Sequence, residues 1–528
     1  MNIKNSIFLR ALASCLLCSV FLALTIWTVS GGQRPSTSQR SLGAGRQPSG
    51  CQLPPANDAY DTTVQYVETF YPLWFTNTQA HPTEYNVLVG PERVSPIYQS
   101  VVMINDDTVY CSAFLDLDPD SSHGEPMVIL TVPETVSPET CSPLTSVTYS
   151  ILLLDPYGDV DPVSNDPCNA TPPPLIPHGA PPQAGGTYAL VGPKYSGTPA
   201  IPPDATRVDL PWSYGTIIFR SDKYHSFEDP SHYVNQIAQS YQFRSSLRMQ
   251  TLSDHQNCSH GGQPSIKTEF PDFADPFKTE ADGKIAVDPV RFLGELQTAV
   301  HSVRTPSLSA CNQQLSDQFD NLFGNGNWKK NSPFGQGAQA AHTEIENNYV
   351  YGHQVGNNWT HFTNIGNWNG DDISDAIDRS SITEFCQFCN DINSAGYYHA
   401  FRDGEGRALN GNYPHGYVLT FPPNPQAGYP GPETMRFWSL TAYTPQAIEL
   451  IPNSINKYEV ASYSGAQRNP DGSLSIYIAT EQPLGVPAEN WLPIQPGPIN
   501  VVLRDYGPPT PGSVVCDTYM PPAIHRMP

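Results

Sequence analysis

Residues 469–478 read Asn-Pro-Asp-Gly-Ser-Leu-Ser-Ile-Tyr-Ile. Leu474, Ile476 and Ile478 alternate with Ser or Tyr, the period of a strand that buries one face. Asp471-Gly472 in front of them is a hairpin signal, because glycine takes positive φ without steric cost. The pattern of short apolar run and turn punctuation repeats outward. Downstream stands Ile499–Leu503, after Gln495-Pro-Gly-Pro498. Upstream stand Ile448–Ile451, Met435–Thr441 and Gly416–Phe421, the last closed by Pro422-Pro423. Residues 60–220 look alike, with runs at Asn86–Val89, Val101–Ile104, Met127–Val132, Val147–Leu154, Tyr188–Val191 and Gly215–Phe219. Strands so spaced, with Pro and Gly turns, imply sandwich-like sheets.

Between the two β regions the pattern changes to helix. Asp229-Pro230 and Asp288-Pro289 each set a capping carboxylate before a proline suited to the first helical position. After the second, Phe292, Leu293, Leu296, Val300 and Val303 share a face, and Leu315, Phe319, Leu322 and Phe323 lead to Gly324, a helix stop. Residues 325–395 are rich in Asn, Gly and aromatics and read as loop with short helices. The fold class expected is mainly β. A β-sandwich domain (56–225) is followed by a helical segment (226–330) and an Asn/Gly-rich loop region (331–395). A jelly-roll-like β domain (396–510) and a C-terminal tail (511–528) complete it.

Composition agrees. The 528 residues include 54 Pro, which favours short strands and turns over long helices, and 56 Phe, Trp and Tyr side chains can build a core. Net charge is −23, and all of residues 1–50 contribute only basic groups, so the remainder carries 22 basic against 50 acidic side chains. Such a surface repels phosphate backbones, which argues against nucleic acid as a partner. Ala11–Val29 is a 19-residue run without a charge, preceded by Lys4 and Arg10. That is nearer the length of a membrane span than of a cleaved leader. Residues 1–30 are therefore expected to be a signal anchor, or alternatively a signal peptide of a secreted protein, and 31–55 a flexible stalk rich in Ser, Gly, Gln and Pro. The bulk would lie in the lumen or outside the cell, joined to the membrane through residues 11–29. Past Cys15 and Cys18 nine cysteines remain, so disulfides are expected there, and the odd number leaves at least one unpaired. Asn169, Asn257 and Asn358 each begin a glycosylation sequon.

Two stretches resemble a known pair of domains. The first runs Ile104-Asn-Asp-Asp-Thr-Val-Tyr110 through Leu117, then Glu125–Pro133, Tyr149, Leu154-Asp-Pro-Tyr157 and Tyr188–Pro193. The second comprises Asp403-Gly-Glu-Gly406, Arg436–Tyr443, Asp471–Tyr477, Asn490-Trp-Leu-Pro493 and Arg504–Gly507. Together they are similar to the paired domain-of-unknown-function family, a twelve-fifty-four N-terminal domain with a twelve-fourteen C-terminal domain. The resemblance covers about half of the chain. It implies a β-sandwich, an intervening helical part and a C-terminal jelly-roll-like domain, and it implies no chemistry.

The residues themselves suggest where chemistry would be. Asp107 with Tyr110 puts a carboxyl and a phenol close together; a buried carboxyl could act as acid or base. The competing reading of Asn105-Asp-Asp107 is a turn, since Asn and Asp bond their own backbone. If the segment were a strand, Asn105 and Asp107 would face one side and Tyr110 the other. Arg436, Trp438, Asn490, Trp491, Arg504 and Tyr506 could line a small-molecule pocket or could pack the core. The catalytic set expected is Asp107, Tyr110 and Arg436, with Asn105, Trp438, Asn490, Trp491 and Arg504 binding substrate. His342-Thr-Glu344 with Cys386-Gln-Phe-Cys389 has the residue types of a zinc deaminase site, but Phe385 stands where that signature has proline, and an oxidising compartment favours a disulfide. No metal and no organic cofactor are expected; GxGxxG after a strand, GxxxxGK[ST], HExxH and GxSxG do not occur.

The leading expectation is an enzyme acting on a small organic molecule, such as a natural-product intermediate, by cofactor-free acid–base chemistry of isomerase, lyase, cyclase or hydrolase type. The alternative is a non-catalytic glycan- or ligand-binding surface protein; a third is a homo-oligomer built through sheet edges.

Overall fold

The computed structural model describes residues 52–80, 84–91, 101–122, 124–133, 147–160, 186–225, 233–256, 266–267, 276–324, 326–368, 372–423, 430–509 and 511–528. Among the described residues, nine strands form the N-terminal β region: β1 Thr108–Asp116, β2 Met127–Val132, β3 Tyr149–Leu154, β4 Gly186–Val191, β5 Ala205–Asp209, β6 Tyr214–Asp222, β7 Tyr224–His225, β8 Val234–Asn235 and β9 Arg248–Thr251. One sheet has the order β1-β6-β3 and a second β5-β4-β2-β9, while β7 and β8 pair alone. Alternate residues of both sheets meet in one apolar core, with Ala113, Leu115, Ile151, Ile217 and Phe219 against Val128, Leu130, Leu190 and Met249. That is a sandwich, built by period-2 burial from each side.

The C-terminal β region comprises β10 Gln354–Gly356, β11 Trp359–His361, β12 Ala395–Ala400, β13 Tyr417–Phe421, β14 Phe437–Tyr443, β15 Glu459–Ala461, β16 Leu474–Ala479, β17 Trp491–Pro493, β18 Asn500–Tyr506 and β19 Ile524–Arg526. A six-stranded sheet, β10-β11-β12-β18-β14-β15, packs on a four-stranded one, β17-β16-β13-β19. Trp359, Trp438, Leu440, Val501 and Leu503 meet Tyr417, Leu419, Ile476 and Ile478 between them. The opposite face of the larger sheet is buried as well. Tyr397, Phe437, Tyr443, Val502 and Tyr506 face the core shared with the helices.

The turn at Asp471-Gly472 forms, with the Gly472 N–H donating to the Asn469 carbonyl at 2.9 Å and Gly472 at φ 86°. It does not close a hairpin. The strand before it, β15, pairs with β14, whereas β16 pairs with β13 and β17. Turn chemistry is local, but pairing is decided by which core each strand enters. Asn86–Val89, Val101–Ile104 and Ile448–Ile451 are not strands; only isolated bridges at Val89 and Leu450 occur there.

Helices lie at α1 Ala59–Ala80, α2 Ile237–Ser246, α3 Leu252–Gln256, α4 Phe277–Val287, α5 Pro289–Val300, α6 Ala310–Phe323, α7 Pro333–Asn347 and α8 Ile373–Phe385. Helix and strand thus take comparable shares, and two expectations are corrected. Residues 56–225 open with α1, not with strand. Residues 331–395 hold α7, α8 and two strands, not a loop region. Helix α1 is buried nearly all round, at Tyr66, Val67, Phe70, Tyr71, Leu73, Trp74 and Phe75, so it shows no amphipathic stripe. Pro72 sits inside it and cannot donate to the Glu68 carbonyl. The Ser380 hydroxyl of α8 donates to that carbonyl instead, at 2.7 Å, so the break in the ladder is repaired from outside. In α7 the glycines permit close approach. A Cβ on Gly337 would stand 2.9 Å from the Thr63 side chain and the Tyr60 carbonyl of α1.

Helix α5 follows its signals: Asp288 caps it by accepting from the Arg291 N–H, and Pro289 is its first residue. Val303 lies beyond the helix end and is exposed, not on the buried face with Phe292 and Leu296. Asp288→Ala is expected to lower unfolding free energy by about 1 kcal/mol, read as a shift in urea midpoint at unchanged slope. Helix α6 ends at Gly324, φ 45°. Among the described residues no helix is long and apolar enough to cross a membrane. The run 11–29, residues 31–51 of the stalk, Asp229-Pro230, Asn169 and Asn257 lie outside the described residues. The last stalk residues are described, and the Pro54 and Pro55 carbonyls accept from the Gln318 side chain at 3.2 Å.

Candidate active site

Asn105, Asp106 and Asp107 form a bend, and β1 begins only at Thr108. The bend undoes strict alternation, so Asn105 and Tyr110 meet instead of facing apart. Their contacts make a chain in which every hydrogen bond runs the same way. The Tyr110 hydroxyl donates to the Asn105 side-chain oxygen, and the Asn105 amide donates to the Tyr506 oxygen. The Tyr506 hydroxyl donates to Asp107 Oδ1 at 3.2 Å, and Ser439 donates to Asp107 Oδ2 at 2.7 Å. Asn105, Asp107 and Tyr110 come from the N-terminal domain; Ser439 and Tyr506 come from β14 and β18 of the C-terminal domain. The two resembling stretches therefore share one network.

Arg504, on β18, is 1% exposed. Its Nη2 donates to the Met103 carbonyl at 3.0 Å and to the Tyr443 hydroxyl at 2.6 Å. Its Nη1 is buried with no partner among the described residues. Arg220 on β6 lies over the Tyr110 ring, 5.4 Å from its centroid, and donates to the Phe388 carbonyl at 2.6 Å and to Asn390 at 2.9 Å. Asn105, Tyr110, Arg220, Tyr397, Arg504 and Tyr506 line a cavity of about 40 Å³, together with Met103, Phe388 and Cys389. This is room for one or two water-sized groups, or for a small polar head whose remainder extends outward.

Electrostatics follow from burial. Desolvation raises Asp107, and the Arg504 charge and the Ser439 hydroxyl pull it back. Desolvation also raises Tyr110, opposed by the Arg220 charge, and lifts Tyr506 well above the ordinary phenol value with Asp107 adding to the effect. Both phenols keep their protons at neutral pH. Asp107 does not reach the cavity, because Tyr506 and Ser439 occupy its two oxygens.

The other expected site residues are placed differently. The guanidinium of Arg436 is taken by Asp222: Nε donates to Oδ2 at 2.9 Å and Nη2 to Oδ1. Trp438 is fully buried between the C-terminal sheets, 5.0 Å from the Phe421 ring. Asn490 pins a loop, accepting from the Gln467 N–H at 2.8 Å and donating to the Gln467 and Ser475 carbonyls at 2.9 Å. Trp491 donates to the Ala479 carbonyl at 2.9 Å. None of these four lines the cavity. A sequence motif does not show which sheet face its side chains enter. Arg220, Ser439 and Tyr443 are not singled out as site residues from the sequence; Ser439 and Tyr443 lie within the resembling stretch Arg436–Tyr443, and Arg220 stands as a lone cation after the β run Gly215–Phe219.

Cys386 and Cys389 form a disulfide, and Cys311 and Cys516 are disulfide-bonded too. The thiolates a zinc deaminase site needs are thus absent. Cys111 is free and buried, which pushes its thiol pKa up and leaves it inert. A further cluster, Lys278, Asp282, His342, Glu346 and Glu384, joins α4, α7 and α8. Carboxylate and imidazole atoms of Asp282, His342 and Glu384 lie within 4.8 Å of one another. The Lys278 ammonium already stands among them, 2.8 Å from Asp282 and 2.9 Å from Glu384, and does what a cation would do there.

Two family models match the chain, each described as a protein of unknown function: DUF1254 over residues 85–245 and DUF1214 over residues 394–510. The crystal structure of the VPA0106 protein from Vibrio parahaemolyticus is similar at 17% identity and a TM-score of 0.50, over 90% of this chain and 99% of that one. A putative uncharacterized protein from Burkholderia cenocepacia is similar at 12% identity and a TM-score of 0.35, over 89% and 94%. The first likeness extends to the fold alone. No curated protein matches the chain.

Proposed function

From the premise that this chain belongs to the paired DUF1254–DUF1214 family, carrying both domains in that order, we propose that it is an enzyme of cofactor-free acid–base chemistry. It acts on a small molecule, for example a natural-product intermediate, that presents a polar head to the interdomain cavity. The observation that supports this is the one-directional chain from Tyr110 through Asn105 and Tyr506 to Asp107. Because Tyr110 gives its proton inward, its oxygen is left to accept from a bound group. Arg504 Nη1, without a partner among the described residues, supplies the opposite polarity and would steady a developing oxyanion. Asp107 acts through Tyr506 as a positioning residue. Isomerisation, elimination, cyclisation and hydrolysis all fit this pairing.

We also place the protein in the secretory pathway, membrane-anchored through residues 11–29 or secreted. The disulfide-bonded cysteines support an oxidising compartment. Glycosylation at Asn169, Asn257 and Asn358 would follow. The Asn358 amide donates to the Asp403 carbonyl at 2.7 Å, and an N-linked sugar leaves one amide hydrogen to keep that bond.

The test is mass spectrometry of a metabolite extract incubated with purified protein in D2O. Wild type converts, or deuterates, a discrete species. Tyr110→Phe, which removes the oxygen that accepts from the bound group, slows this by about 100-fold, the size of the loss of one preorganised hydrogen-bonding group. Asp107→Asn slows it less and shifts its pH profile. Conversion by both variants at the wild-type rate overturns the proposal.

A further inference from the structure

Asp106, between Asn105 and Asp107, does not line the cavity. It lines a separate, wider groove of about 420 Å³ that also spans both domains. It is lined by Lys223 and Tyr224 from one domain and by Lys457, Glu459, Tyr463 and Ser464 from the other. The half-buried Tyr224 ring stacks on Tyr463 with centroids 4.3 Å apart and planes 15° from parallel. Glu459 Oε1 accepts from the Tyr463 hydroxyl at 2.5 Å, while Oε2 is buried with no partner among the described residues.

The charges of the groove cancel. Lys223 is paired with Asp106. Lys457 donates to the Ala488 and Glu489 carbonyls at 2.6 and 3.2 Å, next to the Glu489 carboxylate. Six titratable groups bear on Glu459: Asp106, Asp107, Lys223, Tyr224, Lys457 and Tyr463. Burial, with Asp107 and Asp106 behind it, pushes Glu459 up to about 8 against the pull of Lys223. At neutral pH its free oxygen therefore carries a proton it can donate. A cation would meet Lys223 and Lys457, and an anion would meet Asp106 and Glu489. What remains suited is an uncharged ligand that stacks on an aromatic face and offers hydroxyls.

We propose that this groove is a binding site for a neutral, hydroxyl-rich ring, a pyranoside or cyclic polyol, with Tyr224 as the stacking platform and Glu459 Oε2 as the hydrogen-bond donor. The site stands independently of the chemistry at the cavity.

The experiment is saturation-transfer NMR with isothermal titration on the full chain. The probes are the methyl glycosides of glucose, galactose, mannose and xylose, and myo-inositol; choline and inorganic phosphate are the charged controls. Transfer to ring protons of at least one neutral probe, with none to choline and no phosphate binding, is the expected result. Tyr224→Ala and Glu459→Ala each weaken that binding by about tenfold, the worth of one lost stacking or hydrogen-bond contact. Glu459→Gln keeps a donor at the same place and stays within about threefold. Wild-type affinity falls as pH rises through 8, whereas Glu459→Gln is flat. Binding of no neutral probe, a preference for phosphate or choline, or wild-type affinity in Tyr224→Ala and Glu459→Ala overturns the proposal.

Discussion

Lys278→Met is expected to lower the unfolding free energy by about 3–5 kcal/mol, the cost of removing one partner from a buried ion pair. Methionine matches the length and apolar stem of lysine, so packing on the Phe385 ring, 4.6 Å from the ammonium, is largely kept. What is lost is the charge facing Glu384, which is fully buried and whose Oε2 has no partner among the described residues. His342, 3.1 Å from Glu384, is then its one remaining cation among the described residues. Urea unfolding reads the effect, and a fall below about 1 kcal/mol, the size of an exposed pair, would show that the cluster does not tie the three helices together. Glu384→Leu in the same chain should restore most of the loss, because the uncompensated charge goes with it.

The same cluster sets a pH dependence of known sign. Burial works against the His342 charge, but Glu384 and Asp282 outweigh it and push the pKa up to about 10. Its contribution is complete below the unfolded value of about 6.5 and is lost as pH rises through about 10. Glu384 runs the other way. Burial raises it, His342 and Lys278 more than reverse that, and the folded pKa lies below the ordinary carboxylate range. Its contribution is complete above about 4.3 and is lost on acidification. Stability from the pair is therefore greatest between about 4.3 and 6.5 and declines on the alkaline side. In Glu384→Gln that alkaline decline should flatten.

None of this was legible in the chain, and the reason is instructive. Helix α8 buries Asp375, Asp378, Arg379, Ser380, Ser381, Thr383 and Glu384, so its polar residues point inward. Patterns of hydrophobicity report a helix only when burial and polarity sort to opposite faces. Where they do not, as in α1 and α8, the segment reads as strand or loop. Helix α5 was legible because Asp288 and Pro289 act through local backbone geometry. The strands were legible at β2, β3, β4, β6, β13, β14, β16 and β18, but their order in the sheets was not, as the turn at Asp471-Gly472 shows. At the site, Asn105, Asp107, Tyr110 and Arg504 could be singled out because polar groups bunch there beside apolar strands. Their partners Ser439, Tyr443 and Arg220 lie more than a hundred residues from the groups they touch, with the exception of the Tyr443–Arg504 bond. Which Trp lines a pocket and which fills a core depends on the sheet face, and that is set by register.

Arg436→Leu should cost about 3–5 kcal/mol, again because a carboxylate is left behind in the interior. Asp222 ends β6 in one domain, and Arg436 stands just before β14 in the other; they are 1% and 6% exposed. Burial raises Asp222 and the Arg436 charge only partly offsets it. Desolvation is thus large for this pair, and the pair need be no more stable than an apolar substitute. The double variant Arg436→Leu with Asp222→Leu should recover most of the stability, with a coupling energy of several kcal/mol across the cycle. Gly507 is part of the same joint. It has φ 67°, and a Cβ there would stand 3.1 Å from Arg436 Cδ, so the stem of the arginine fills the space a side chain would need. The cycle also decides what Arg436 does. As a clamp between domains it leaves the double variant folded and still converting substrate, since Tyr110 and Arg504 are untouched. As a group that steadies negative charge on the substrate, the role expected from sequence, it leaves the double variant folded and about 100-fold slower, the cost of one electrostatic donor. The fork of Arg436 is already held by Asp222, and the first result is the one expected.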